Sequence, residues 1–246
     1  MLKRLYYDLH IHSCLSPCGD NDNTPCNILG MASLCGLDIV ALTDHNTTKN
    51  CPAFFEAAKE YGITPVAGME LTTSEDIHAV CLFEHLSDAM EFDKLISGRR
   101  ILIKNKPEFF GEQLILDSQD NIVGNEEYLL TNATDISIDE VYELAREHGG
   151  VAYPAHIDRG ANSITAILGT VPKDAKFDFY ELHFKDSAIT LGEIHGIAAE
   201  RFIVSSDAHY LTDMRDKDCF LTLDVDGDDP CEVRRALFEF LRGKAI

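Results

Sequence analysis

Short runs of β-branched and apolar residues recur along the chain, and stretches with helical spacing separate most of them. Seven such runs read as strands: 5–10, 38–43, 64–69, 77–83, 150–155, 177–183 and 202–206, with a shorter one at 220–225. Between them, Thr24 and Pro25 have the form of a helix cap and first-turn proline. Ile28, Met31, Ala32 and Cys35 make the buried stripe of that helix, and Gly36 closes it. A second helix is expected over 52–61, stopped by Gly62. Ser137 with Glu140 forms a capping box ahead of Val141, Tyr142 and Ala145. Asp229-Pro230 starts a last helix with Val233, Leu237 and Phe240 inward. Strands alternating with helices predict an α/β fold with a parallel sheet.

The rhythm breaks over 85–135. There, 113–124 reads as a hairpin around Ser118-Gln119-Asp120-Asn121, preceded by Arg99, Arg100, Lys104 and Lys106. A connection this long points to an insertion on the rim of the sheet. The basic cluster would either guide an anionic substrate or form a solvated patch. Residues 1–246 are otherwise expected to make one domain.

Composition narrows the function. The formal net charge is −21, which repels polyanions at long range and argues against a stable nucleic-acid complex. A phosphate substrate remains compatible, because bound cations dominate a local field. Apolar runs are too short to span a bilayer. Met1-Leu2-Lys3-Arg4 begins basic, but Asp8 and His10 break the apolar stretch behind it, so no signal peptide is expected. Eight cysteines without a Cys-x-x-Cys pair read as free thiols in the cytoplasm. Nothing in the sequence bears on oligomeric state.

The candidate chemistry lies at the strand ends. His10 and His12 are two apart, so an extended chain projects both to one side. Asp44 and His45 follow the second strand, and Glu70 the third. His78 lies in the fourth, His156 follows the fifth, and His183 ends the sixth. Asp207 and His209 follow the seventh. In a parallel barrel the carboxyl ends share one face, where catalytic residues collect. Histidines with only structural roles would not favour one end of successive strands. Imidazole and carboxylate without thiolate suit Zn, Mn or Fe. Glu70 is a natural bridge between two cations, and a bridged pair turns a shared water into a hydroxide nucleophile near neutral pH.

His10-x-His12, Thr43-Asp44-His45-Asn46, Gly68-Met69-Glu70, His78, Ala155-His156 and Ser206-Asp207-Ala208-His209 together resemble the PHP family, the polymerase and histidinol phosphatase metallohydrolases. The resemblance implies a distorted (β/α)7 barrel holding two to three divalent transition metal ions. It implies that His10, His12, Glu70 and Asp207 hold one ion, and that Glu70, His78 and His156 hold a second. A residue after His12, with His45 and His209, would hold the third. Family members often carry that ligand in Ser-Asp-Gly, whereas here Pro17-Cys18-Gly19 separates Ser16 from Asp20. Asp20, Asp22 and Cys18 are the candidates. The resemblance favours Asp20, because in the commonest family pattern the ligand Asp lies five residues before a helix-opening Pro, here Pro25.

The leading expectation is a phosphoesterase acting on a small phosphorylated substrate. A nucleotide, a nucleoside bisphosphate, an oligonucleotide 5′ end and histidinol phosphate all suit such a centre. Glu70 and Asp207 would serve the reaction, with Arg159 holding a phosphate oxygen unless it makes only a surface ion pair. Asp8 and Asp44 are expected to orient imidazoles by accepting their outer N–H groups. His183 is placed near the site but outside the ligand set. The alternatives are an amidohydrolase-type hydrolase of C–N bonds, which usually bridges its metals with a modified lysine, and a metal-stabilised module that only binds a partner. No Gly-x-Ser-x-Gly, Gly-x-Gly-x-x-Gly or P-loop motif is present.

Overall fold

The computed structural model describes residues 1–243, so the last three residues of the expected 1–246 domain lie outside it. In chain order come β1 (Leu2–Asp8), α1 (Pro25–Cys35), β2 (Ile39–Leu42), α2 (Cys51–Ala57), β3 (Thr64–Thr72), β4 (His78–Phe83) and α3 (Leu86–Ser97). Then follow α4 (Pro107–Phe110), β5 (Leu114–Leu116), β6 (Ile122–Asn125), α5 (Ile138–Glu147), β7 (Gly150–Pro154), α6 (Ile164–Leu168) and β8 (Tyr180–Leu182). The chain continues through α7 (Ser187–His195), β9 (Phe202–Val204), β10 (Phe220–Asp224) and α8 (Pro230–Leu241).

The caps read from the sequence act as expected. Thr24 accepts from Asn27 N–H, Gly36 takes the left-handed conformation at φ 72°, and Asp229 accepts from Cys231 N–H. Glu140 reaches back to the Ser137 N–H at 2.9 Å. The second helix ends sooner than expected and tightens into a 3-10 turn over Ala58–Glu60.

Six strands form a mixed sheet in the order β10-β1-β2-β3-β4-β7, and β8 pairs in parallel with β9. β2 and β3 are buried at every position, and β2 accordingly reads as an unbroken apolar run. β1 begins earlier than expected because β10 pairs with it antiparallel from Leu2 to Tyr6. Two sets of main-chain bonds tie the small sheet to the large one. Ile157 N–H reaches Glu181 O at 2.8 Å, and His12 N–H reaches Ala208 O at 2.9 Å.

The expectation of an all-parallel sheet is corrected by β4. It pairs antiparallel with both β3 and β7, and no helix separates it from β3. The short turn after β3 has no room for a crossover helix, so the chain can only double back. His78 is the first residue of β4, and the reversal carries that first residue to the end where the parallel strands finish.

Within 85–135, α3 packs Ala89, Phe92 and Ile96 into the core, and the chain leaves the sheet only after Gly98. The expected hairpin is present as β5 and β6. It is fastened beside the site: Leu114 N–H donates to Cys14 O, and Asn50 bridges Ser13 Oγ, Leu114 O and Leu116 N–H. Three of the four basic residues of the cluster are ion-paired. Arg99 pairs with Asp135, Arg100 with Glu126, and Lys104 with Glu127. Those partners lie 23 to 36 residues further along the chain, out of reach of any local reading.

Candidate metal centre

The first histidine pair lies just past the end of β1. Ile11 bridges to Ala208 there, so the extended alternation runs on and His10 and His12 still face the same way. Their Nε2 atoms are 3.2 Å apart, and both residues are fully buried. Glu70 Oε1 and Asp207 Oδ1 each lie 3.4 Å from His10 Nε2, and Asp207 Oδ1 is 3.1 Å from His12 Nε2.

Glu70, near the end of β3, sits among five imidazoles. Its Oε1 faces His78 Nδ1 at 2.8 Å, His156 Nε2 at 3.0 Å and His10. Its Oε2 faces His45 Nδ1 at 3.0 Å and His12 Nε2 at 3.4 Å. Neither Glu70 Oε2 nor His45 Nδ1 has a hydrogen-bond partner. Two buried polar atoms that meet without a shared proton are costly unless a third species binds both. A cation fits that requirement, and the donors are of the type that hold divalent transition metals.

Three sets of donor atoms lie close enough to hold an ion: His12, His45 and His209; His10, His12, Glu70 and Asp207; and His45, Glu70 and His78. His156 joins through Glu70 Oε1 alone. Asp20 stands apart from all three sets. Its Oδ1 accepts the Asp22 N–H at 2.8 Å, while its own N–H donates to His209 O at 2.9 Å. Its main chain thus reaches the cluster, and its carboxylate belongs to none of the sets. Asp22 and Cys18 belong to none of the sets either.

Charges within the cluster oppose one another. Burial pushes the Glu70 carboxyl up, but the charges of His78, His10 and His45 outweigh it and hold the group well below its usual range. Burial lowers His12, yet its bonds to Asp207 and Glu70 win and raise it to about 9. Burial and the charge of His12 push His209 down to about 4. His45 is held well below its usual value, chiefly by burial.

The outer contacts differ from expectation. Asp44 touches no imidazole. It accepts from Ser13 N–H and Ser13 Oγ at 2.7 Å each and from Ser16 Oγ at 2.8 Å, and Ser16 Oγ takes the His12 Nδ1–H at 3.0 Å. Asp8 accepts main-chain N–H groups of Ser206 and Arg215, so it shapes the loop after β9. Glu181 of β8 makes the direct contact, pairing with His10 Nδ1 at 2.8 Å. The sequence pattern marks His183, two residues on, and not Glu181. The one available signal was a carboxylate inside an apolar strand. His183 belongs to none of the ion-holding sets. Arg159 donates to Asp207 Oδ2 at 2.5 Å from a side chain 39% exposed, which places it at the mouth. His156 and Asp207 have φ values of 30° and 52°, strained for residues with side chains.

The PHP domain is matched by residues 8–147, more than half of the chain. The chain belongs to the PHP family. The chain is similar to a 5′-3′ exoribonuclease of Haemophilus influenzae, 37% identical over 118 residues, or 44% of this chain and 39% of that one. The chain thus spans well under half of that relative's length. The structure is similar to endonuclease Q from Pyrococcus furiosus, with a TM-score of 0.60 and 20% identity over 99% of this chain and 57% of that one. It is also similar to an amidohydrolase from Chromobacterium violaceum, with a TM-score of 0.52 and 18% identity over 93% of this chain and 96% of that one. At such identities the likeness to the two structures shows a shared overall fold. The chain thus carries a PHP domain with a largely buried His/Glu/Asp cluster that could hold metal ions.

Proposed function

We propose that this PHP protein is a phosphoesterase that hydrolyses a small phosphomonoester at a centre of two to three divalent ions. The observation that carries this reading is Glu70, whose two oxygens face different imidazoles, His78 and His156 on one side and His45 on the other. His10, His12, Glu70 and Asp207 would hold one ion, His45, Glu70 and His78 a second, and His12, His45 and His209 a third. His156 would support the second through Glu70. Bound divalent ions would supply an acidified water and offset the charge of the phosphate.

The chain's own residues do the rest. Asp207 is held ionised by His10 and His12 and keeps Arg159 at the opening. Arg159 has further N–H groups for a phosphate oxygen beyond the one given to Asp207. The paired Arg99, Arg100 and Lys104 leave no broad basic surface around the hairpin, which favours a small substrate or a short oligonucleotide end over a long duplex. We assign 98–135 to a rim insertion on the single domain. The eight cysteines are free thiols, in keeping with a reducing compartment such as the cytoplasm. No described helix is long and apolar enough to cross a membrane.

The test is a phosphate-release screen over phosphorylated metabolites, mononucleotides and short oligonucleotides, with Mn, Zn and Fe supplied separately. Reconstituted protein should carry about two to three equivalents of metal and lose activity to a chelator. Less than about one equivalent would remove the metal centre. Hydrolysis of C–N bonds without phosphate release would select the amidohydrolase chemistry instead.

A further inference from the structure

Glu181 is 1% exposed and lies behind the metal centre, outside every ion-holding set. One of its oxygens, Oε2, has two partners. It pairs with His10 Nδ1 at 2.8 Å and accepts the main-chain N–H of His156 at 3.0 Å. Its other oxygen has no hydrogen-bond partner. The two partners sit in different parts of the cluster. His10 belongs to an ion-holding set with His12, Glu70 and Asp207, whereas His156 belongs to none and reaches Glu70 Oε1, the oxygen that also faces His78 and His10.

Each contact has a definite consequence. A carboxylate on Nδ1 keeps a proton there, so the lone pair of His10 stays on Nε2, the atom that faces His12, Glu70 and Asp207. The contact with His156 is to its backbone, at a residue whose φ of 30° is disfavoured for any side chain larger than glycine's. A strained conformation persists only where its surroundings hold it, and a buried carboxylate on the peptide N–H is such a restraint.

We infer that Glu181 is a positioning residue for two ion positions at once: through a single oxygen it sets the tautomer of His10 and holds the backbone of His156. This rests on the reading of the cluster as a metal centre. Glu181 touches no substrate and acts only through the two histidines. A carboxamide in its place offers one neutral acceptor oxygen and an NH2 group that repels an N–H donor. Its oxygen can still face both N–H donors, but without the negative charge both bonds weaken.

The experiment uses the full chain, stripped of metal and titrated with Mn and separately with Zn in a calorimeter. Glu181→Gln should lose about 10–100-fold in affinity for two ions, the range seen when an outer partner of a ligand is removed. Its metal-free unfolding midpoint should stay near that of the parent chain. Glu181→Asp, shorter by one methylene, should show the same loss if the glutamine variant does not fold. Nitrogen-15 spectra of the Zn-loaded parent chain need no variant to fold, and they should show the His10 proton on Nδ1. Unchanged affinity, a loss confined to one ion, or a His10 proton on Nε2 would each overturn the inference. Failure of the parent chain itself to bind ions would overturn the metal centre with it, and that result is read in a separate arm.

Discussion

Glu70 illustrates how much one side chain can organise. A glutamine there would keep the volume and one acceptor, but it would remove the charge that five imidazoles share. Glu70→Gln should therefore cost more activity than the ~10–100-fold typical of losing an outer partner, and it should release metal as well. His183→Ala should stay within about that same range, because His183 joins no ion-holding set. Equal losses in the two variants, read as kcat/KM beside metal content, would argue against a shared bridge. The ligand-type residues themselves were legible in the sequence, because their place after each strand is a local pattern. Glu181 and Ser16 were not. Each is defined by what it touches across the fold, and a lone carboxylate in a strand or a lone serine in a loop carries no local mark of that. Asp20 shows the converse. Its spacing to Pro25 favoured it, but three-dimensional folding turns its carboxylate toward Asp22.

At the scale of elements, caps and strand runs were read well because they depend on neighbours in sequence. The direction of β4 was not, since apolar alternation is the same whichever way a strand runs. The insertion's ion pairs were hidden for the reason given above, distance along the chain. One of them yields a pH prediction. Glu126 is nearly buried and meets both Lys49 and Arg100. Burial raises its pKa, but the two cations outweigh that and hold it below its ordinary value near 4.5. A carboxylate with a depressed folded pKa adds stability above the unfolded pKa and loses it as pH falls through the folded one. Glu126→Gln should thus lower stability by roughly 1–3 kcal/mol at neutral pH, the scale of a hydrogen bond to a charged group. The gap to the parent chain should shrink below about pH 4.5. Denaturant melts at a series of pH values would check this, and a gap constant with pH would refute it.

For the molecule as a whole, the tie between chain ends matters more than its net charge of −21. His12 and Asp207 meet across 195 residues of sequence, and β1 pairs with β10 near the far end of the chain. Contacts of such separation are slow to form, since loop closure comes before the contacts that reward it. A chain still being synthesised cannot present the donor set of His10, His12, Glu70 and Asp207 until Asp207 has emerged. An ion held by that set would therefore not nucleate folding as zinc does in a small finger domain; it would act as a latch on a molecule already closed. Refolding of the stripped chain should run at the same rate with or without Mn, while unfolding should slow. With free ion at about a hundred times Kd, the added stability of about 2.7 kcal/mol should appear almost wholly as a slowing of unfolding by about a hundredfold. Stopped-flow traces in which Mn instead speeds refolding would show that part of the donor set gathers before the chain ends meet.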